Sequence, residues 1–156
     1  MKIEKTDIFD KLNMGEYIWG NAYTYSISGI DLAIQTNQFD LLNEICKNEG
    51  WTELNDSWNC MEFKQCSELL MDSIEFDMAY SESRITPNDI AMDIHNKLLH
   101  SFNESNCFCY SNWFNNHWRD RANGSFWNSL TENTFDLSTV FIKKEKLLIT
   151  CFRSED

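Results

Sequence analysis

One proline and five glycines are all that punctuate 156 residues, and this scarcity constrains the chain more than any motif within it. Proline and glycine are the strongest local breaks between periodic segments. With so few of them, and with no Pro/Gly/Ser-rich stretch or sustained charge block, the sequence reads as a single globular domain spanning residues 1–156. A core at this size can bury roughly two thirds of the surface that the unfolded chain exposes. The composition, 42% hydrophobic and 14% aromatic, supplies the apolar mass to fill it. Intrinsic disorder and a disulfide-stapled mini-protein are both disfavoured.

Periodicity places the elements. Leu32, Leu41, Leu42 and Ile45 recur at helical intervals around the polar break Asn37-Gln38, which predicts an αα-hairpin ending near Gly50. Residues 61–79 predict an amphipathic helix, with Phe63, Cys66, Leu70, Ile74 and Met78 inward and an acidic outer side. Thr86 reads as an N-cap, with Pro87 at the first helical position of a helix over 87–101. Residues 16–27 fit a strand and a helical face equally. At the C-terminus, Leu137 to Ile142 and Leu147 to Phe152 are β-branched and aromatic runs joined by Lys143-Lys144-Glu145-Lys146, the pattern of a hairpin. Helices followed by a terminal strand pair predict an α+β fold, mainly helical, with a C-terminal β-hairpin.

Charge bounds the partners. Thirteen Lys plus Arg against 25 Asp plus Glu leave a net charge of −12, which argues against a nucleic-acid reader and against attraction to an anionic membrane surface. Between Glu53 and Asp93 lie ten acids, among them Asp72, Glu75, Asp77, Glu82, Asp89 and Asp93, against only Lys64 and Arg84. Such a segment is either a solvated face or a surface matched to a basic partner. Acidic residues Glu4, Asp7 and Asp10 interrupt the N-terminus where a signal peptide needs an apolar stretch, so a cytoplasmic location is expected. In that compartment six cysteines are expected to be reduced, buried, small hydrophobes.

No nucleotide-binding, zinc-protease or nucleophile-elbow motif occurs, and no cofactor or metal is expected. His95 and His100 stand five apart, off the i,i+4 spacing of a helical zinc pair. The one local set with catalytic potential is Cys107 and Cys109 with His117 and Asp120, which leaves a cysteine enzyme as an alternative. Between Tyr110 and Trp127, rings interleave with amides and arginines. Trp113, Phe114 and Trp118 keep helical spacing and read first as packing, while an exposed member among Trp113, Trp118 and Trp127 would serve as an interface anchor.

Two resemblances follow. Leu32-Ala33, Asn37-Gln38 and Leu41-Leu42 resemble one ankyrin helix-turn-helix unit, but no second copy recurs, and a solenoid needs about three. An ankyrin-like or sugar-binding interaction module is therefore a further alternative. The segment Leu130-Thr-Glu-Asn-Thr-Phe-Asp136, the runs through Val140-Phe141-Ile142 and Leu147 to Phe152, and the final Ser154-Glu155-Asp156 are similar to the tail of bacterial immunity proteins that neutralise polymorphic or contact-dependent toxins. The similarity covers the last 27 residues. It departs from the family pattern at Leu137-Ser138, where a glycine-containing step is usual, and at Cys151-Phe152, where a tryptophan is. The resemblance implies a non-enzymatic inhibitor that occludes the active site of a basic toxin domain, a nuclease being the best match for an acidic surface. The candidate partner-binding residues are then Asp72, Glu75, Asp77, Glu82, Asp89, Asp93, Trp113, Trp118 and Trp127.

Overall fold

Six consecutive buried residues, Leu147 to Phe152, organise the molecule. A strand that faces water on one side alternates apolar and polar residues. One buried on both faces does not. In the computed structural model, which describes residues 3–124 and 126–155, this run is the inner strand of an antiparallel sheet with helices on both sides. The strands are β1 (Ile3–Asp7), β2 (Gly20–Ile27), β3 (Asn59–Met61), β4 (Phe108–Ser111), β5 (Phe135–Leu137), β6 (Thr139–Lys143) and β7 (Lys146–Ser154). Their order is β1-β2-β7-β6-β4-β3, with β5 also pairing β7. β5 and β6 form one course along β7, interrupted where Thr139 N–H donates to the Thr150 hydroxyl at 3.0 Å instead of to a ladder carbonyl.

This architecture overturns the expectation of a mainly helical domain with a single C-terminal hairpin. The hairpin exists, but it is the centre of a seven-stranded sheet. Two strands alone are marginal in water, so the buried run needed partners. Those partners are hard to read: β3 has three residues, and every residue of β1 is exposed. Within the segment 16–27, residues Gly20–Ile27 form β2, after a 3-10 turn over Met14–Glu16. Gly20 sits where β2 crosses β7 so closely that a Cβ would lie 2.4 Å from the Cys151 carbonyl oxygen.

Alternation along the strands divides the core. Leu148, Phe152, Phe141, Cys109 and Ala22 face a layer made by α1 (Ile8–Lys11), α4 (Phe63–Glu75) and α5 (Asn88–Leu98). Leu147, Ile149, Cys151, Val140, Ile142, Tyr110 and Tyr23 face α2 (Leu32–Gln35), α3 (Gln38–Glu49) and the indoles of Trp51 and Trp58. The helix pair α2 and α3 follows the predicted αα-hairpin: Asn37 caps α3, accepting from Asp40 N–H at 3.1 Å, and Gly50 closes it with φ +74°.

Two helix boundaries are corrected. α5 starts at Asn88 with Pro87 in the cap position, and Thr86 does not cap it. The buried Thr86 hydroxyl instead donates to Ile74 O at 2.6 Å, tying the entry of α5 to the last turn of α4. The acidic side of α4 is also not wholly outward, because Asp72 and Glu75 are buried. No helix among the described residues is long and apolar enough to cross a membrane.

Candidate functional site

β4 ends at Ser111, and the chain then makes an excursion that returns beside its own start. Asn128 N–H donates to Asn112 O at 2.9 Å, Phe114 N–H donates to Phe126 O at 2.8 Å, and Trp113 pairs with Trp127. The helical spacing of Trp113, Phe114 and Trp118 is therefore not a helix. The rings form a column: Trp113 stacks on Trp127 at 4.9 Å and on Trp118 at 5.9 Å, and Trp127 stacks on Phe135 at 5.4 Å. Parallel stacking lets four large side chains fill a region that has little regular backbone.

Asp136 anchors this region. Its carboxylate, fully buried, accepts from Leu130 N–H, from Thr131 N–H and hydroxyl at 2.9 and 2.8 Å, and from the Asn112 amide at 2.8 Å. Its carbonyl takes the Trp113 indole N–H at 2.6 Å. Several donors aimed at one carboxylate make a buried charge tolerable without a cation. Asp136 therefore has a structural task within the segment that carried the resemblance. Asp156, the last residue of the acidic stub, lies outside the described residues.

The acidic residues divide in two. Asp72 is buried under Arg119, whose Nε lies 2.7 Å from it, and accepts from the Asn116 amide at 2.8 Å. Glu75 is buried, with Arg84 at 3.3 Å and the Asn88 amide at 2.8 Å. Asp77 is half-buried and accepts from the Ser154 hydroxyl at 2.7 Å. Asp72 thus joins the helical layer to the excursion and Asp77 joins it to the C-terminal strand, while Glu75 ties the end of α4 to Arg84 and the start of α5. Glu82, Asp89 and Asp93 are exposed. Glu82 lies 2.9 Å from Arg121, and Asp93 lies 2.8 Å from Lys97.

Trp113 is 0% exposed and belongs to the core, whereas Trp118 and Trp127 are half-buried at its edge. The exposed rings are others: Trp19 at 51%, just before β2, Phe108 at 43%, at the start of β4, and Phe126 at 64%, Tyr80 at 60% and Phe114 at 47%. The last three stand on two loops, residues 76–84 and the excursion, joined by the Arg121–Glu82 pair and by Trp118 Nε1 donating to Asp77 O at 3.2 Å. Their sequence signal was slight. Each ring lies within two residues of a Ser, Asn or Gly, as loop-tip residues do.

The candidate cysteine site does not assemble. Cys107 and Cys109 lie at the start of β4, with their sulfurs 3.8 Å apart, while His117 packs edge-on against Trp113 and Trp118 beyond its far end. The thiol of Cys107 is pushed up by its contact with Cys109 and by burial, which disfavours the nucleophilic thiolate. Burial, then Arg121, holds the His117 imidazole below its usual range. Among the described residues, no three His, Cys, Asp or Glu side chains converge as metal ligands. Comparisons with protein-family models, curated proteins and solved structures gave no match.

Proposed function

We propose that this chain is an inhibitory binding protein of the immunity type, which covers the basic substrate groove of a bacterial toxin domain, a nuclease fitting best. The observation that carries the reading is the grouping of Tyr80, Phe114 and Phe126, exposed on two joined loops with Glu82 at their junction. Exposed aromatic rings supply desolvated anchors, and solvated carboxylates around them steer a cationic partner. The net charge of −12 extends that steering beyond the contact itself. Inhibition of this kind needs no bond making, only occlusion. Buried Asp72 and Glu75 are already paired within the fold and do not meet the partner under this reading: Asp72 holds the excursion through Arg119, and Glu75 holds Arg84 and the start of α5.

The test is co-expression with the toxin encoded by the adjacent reading frame, followed by binding kinetics with the purified pair. Growth rescue and a complex whose association slows steeply between low and physiological salt are expected, because the Debye length falls from about 30 Å at 0.01 M to about 8 Å at 0.15 M. Phe114→Ala with Phe126→Ala should speed dissociation. Failure to rescue growth, or association indifferent to salt, removes the reading.

A further inference from the structure

The tip of the central hairpin carries an inverted charge. Two adjoining depressions, of 630 and 330 Å³, share Ser101 and Lys146 and are lined by Lys11, Lys97, Lys143, Lys144 and Lys146. Five of the thirteen Lys and Arg residues thus gather where, among the described residues, Asp31 and Glu145 are the only lining carboxylates and Asp93 is held by Lys97 at 2.8 Å. Both carboxylates are already engaged by backbone, Asp31 with Ala33 N–H at 3.0 Å and Glu145 with Gly29 N–H at 3.0 Å.

Two features of the tip oppose its own stability. Lys143 and Lys146 face each other directly across the two strands, an arrangement in which like charges repel. Neither is relieved by a carboxylate: the Lys143 ammonium donates to the Asn103 side-chain oxygen at 2.6 Å, and that of Lys146 to the Ser101 hydroxyl at 3.2 Å. Lys144 is left-handed, with φ +53°. Among the described residues, the other non-glycine positions with positive φ are all asparagines, Asn13, Asn55 and Asn106, which adopt that conformation readily. The tip is also fixed in place, since Leu32 N–H donates to Lys144 O at 2.7 Å and Ile27 N–H to Glu145 O at 3.1 Å. A strained lysine and a repelling lysine pair, held rigidly at a depression of 630 Å³ on an acidic protein, make sense together if an anion completes them.

We propose that this cleft binds a small anion carrying a chain of two or more phosphoryl groups, seated between the Lys143 and Lys146 ammonium groups with Lys144 beside it at the tip. Ammonium groups serve phosphate as compact point charges, and spaced lysines suit a chain better than one phosphate. Inorganic polyphosphate and the phosphate chain of a nucleotide share this chemistry. The inference rests on the hairpin tip alone and stands or falls independently of the toxin reading.

Calorimetric titration of the full chain at constant ionic strength tests it, with sodium tripolyphosphate, metal-free ATP and adenosine as probes. Tripolyphosphate should bind saturably, and adenosine should not. ATP equal to tripolyphosphate identifies the chain as the whole ligand, and tighter ATP binding identifies a nucleotide. Lys143→Gln with Lys146→Gln removes two charge-assisted hydrogen bonds and should weaken binding about tenfold or more. Lys47→Gln with Lys64→Gln, which lie outside the cleft, should leave it unchanged. Without ligand, the cleft variant should melt no lower than the wild type, because a repulsion has been removed. If it fails to fold by circular dichroism, Lys144→Gln takes its place. No saturable binding, equal binding by the cleft variant, an effect reproduced by added chloride, or binding to long RNA alone each overturns the proposal.

Discussion

The two ends of β7 teach opposite lessons. At its C-terminal end, Ser154 meets Asp77, β5 brings in Asp136, and the tryptophan column packs close by. Every buried charge there is matched: Asp136 by a ring of donors, Asp72 by Arg119 and Glu75 by Arg84. At its N-terminal end, about 27 Å away along the strand, Lys143 and Lys146 repel and Lys144 is strained. The first end spends its polar groups on folding and leaves Phe114 and Phe126 exposed. The second leaves the Lys143 and Lys146 ammonium groups on neutral oxygens with no carboxylate partner among the described residues, as a site awaiting a ligand does.

The sharpest way to break this contrast is Asp136→Ala. It leaves the buried donors of Leu130, Thr131 and Asn112 without an acceptor, and it should cost about 3 kcal/mol or more in urea denaturation. A loss below about 1 kcal/mol would mean that the carboxylate does not hold this end together. Thr86→Val, which deletes the buried hydroxyl bonded to Ile74 O, should cost about 1 kcal/mol and leave binding to the proposed toxin partner unchanged. At the cationic end the sign reverses: Lys144→Asn should stabilise the ligand-free protein by about 0.5–1 kcal/mol, since asparagine takes the left-handed conformation more readily. A destabilised Lys144→Asn protein would deny the strain.

The smallest effect is a pH dependence. Burial holds the imidazoles of His95 and His117 below their usual range. The unfolded chain protonates near the ordinary value of about 6.5, while the folded chain resists. Stability should therefore be highest above that value and fall as pH drops from about 7 to 5.5. Denaturation midpoints across this range check it, and His95→Gln should flatten part of the slope. An unchanged wild-type midpoint would mean that neither histidine resists protonation in the fold.

Much of the helical layer was legible. α3 carried its Asn37 cap and Gly50 stop in the sequence, and α4 its apolar stripe. The hairpin was legible too, but its place in the sheet was not. The unbroken apolar run of β7 signalled burial on both faces without naming the strands that cover its edges. β1 offers Ile-Glu-Lys-Thr-Asp, a polar sequence whose strand state comes from pairing with β2. Of the candidate site, the aromatic segment was visible. Which rings were core was not, because Trp113 and Phe114 are adjacent yet one is buried and the other exposed.

By itself, then, the sequence determined the helices with regular apolar stripes, the terminal strand pair, the acidity and the crowding of rings between Tyr110 and Trp127. These are properties of neighbours along the chain, fixed by periodicity, cap chemistry and composition. Tertiary structure decided the seven-stranded sheet, the burial of Asp72, Glu75 and Asp136, and the meeting of Lys143 with Lys146. Those depend on partners between 3 and about 130 residues away, and on whether a group finds a hydrogen-bonding or charged neighbour when it leaves water. No local pattern encodes that.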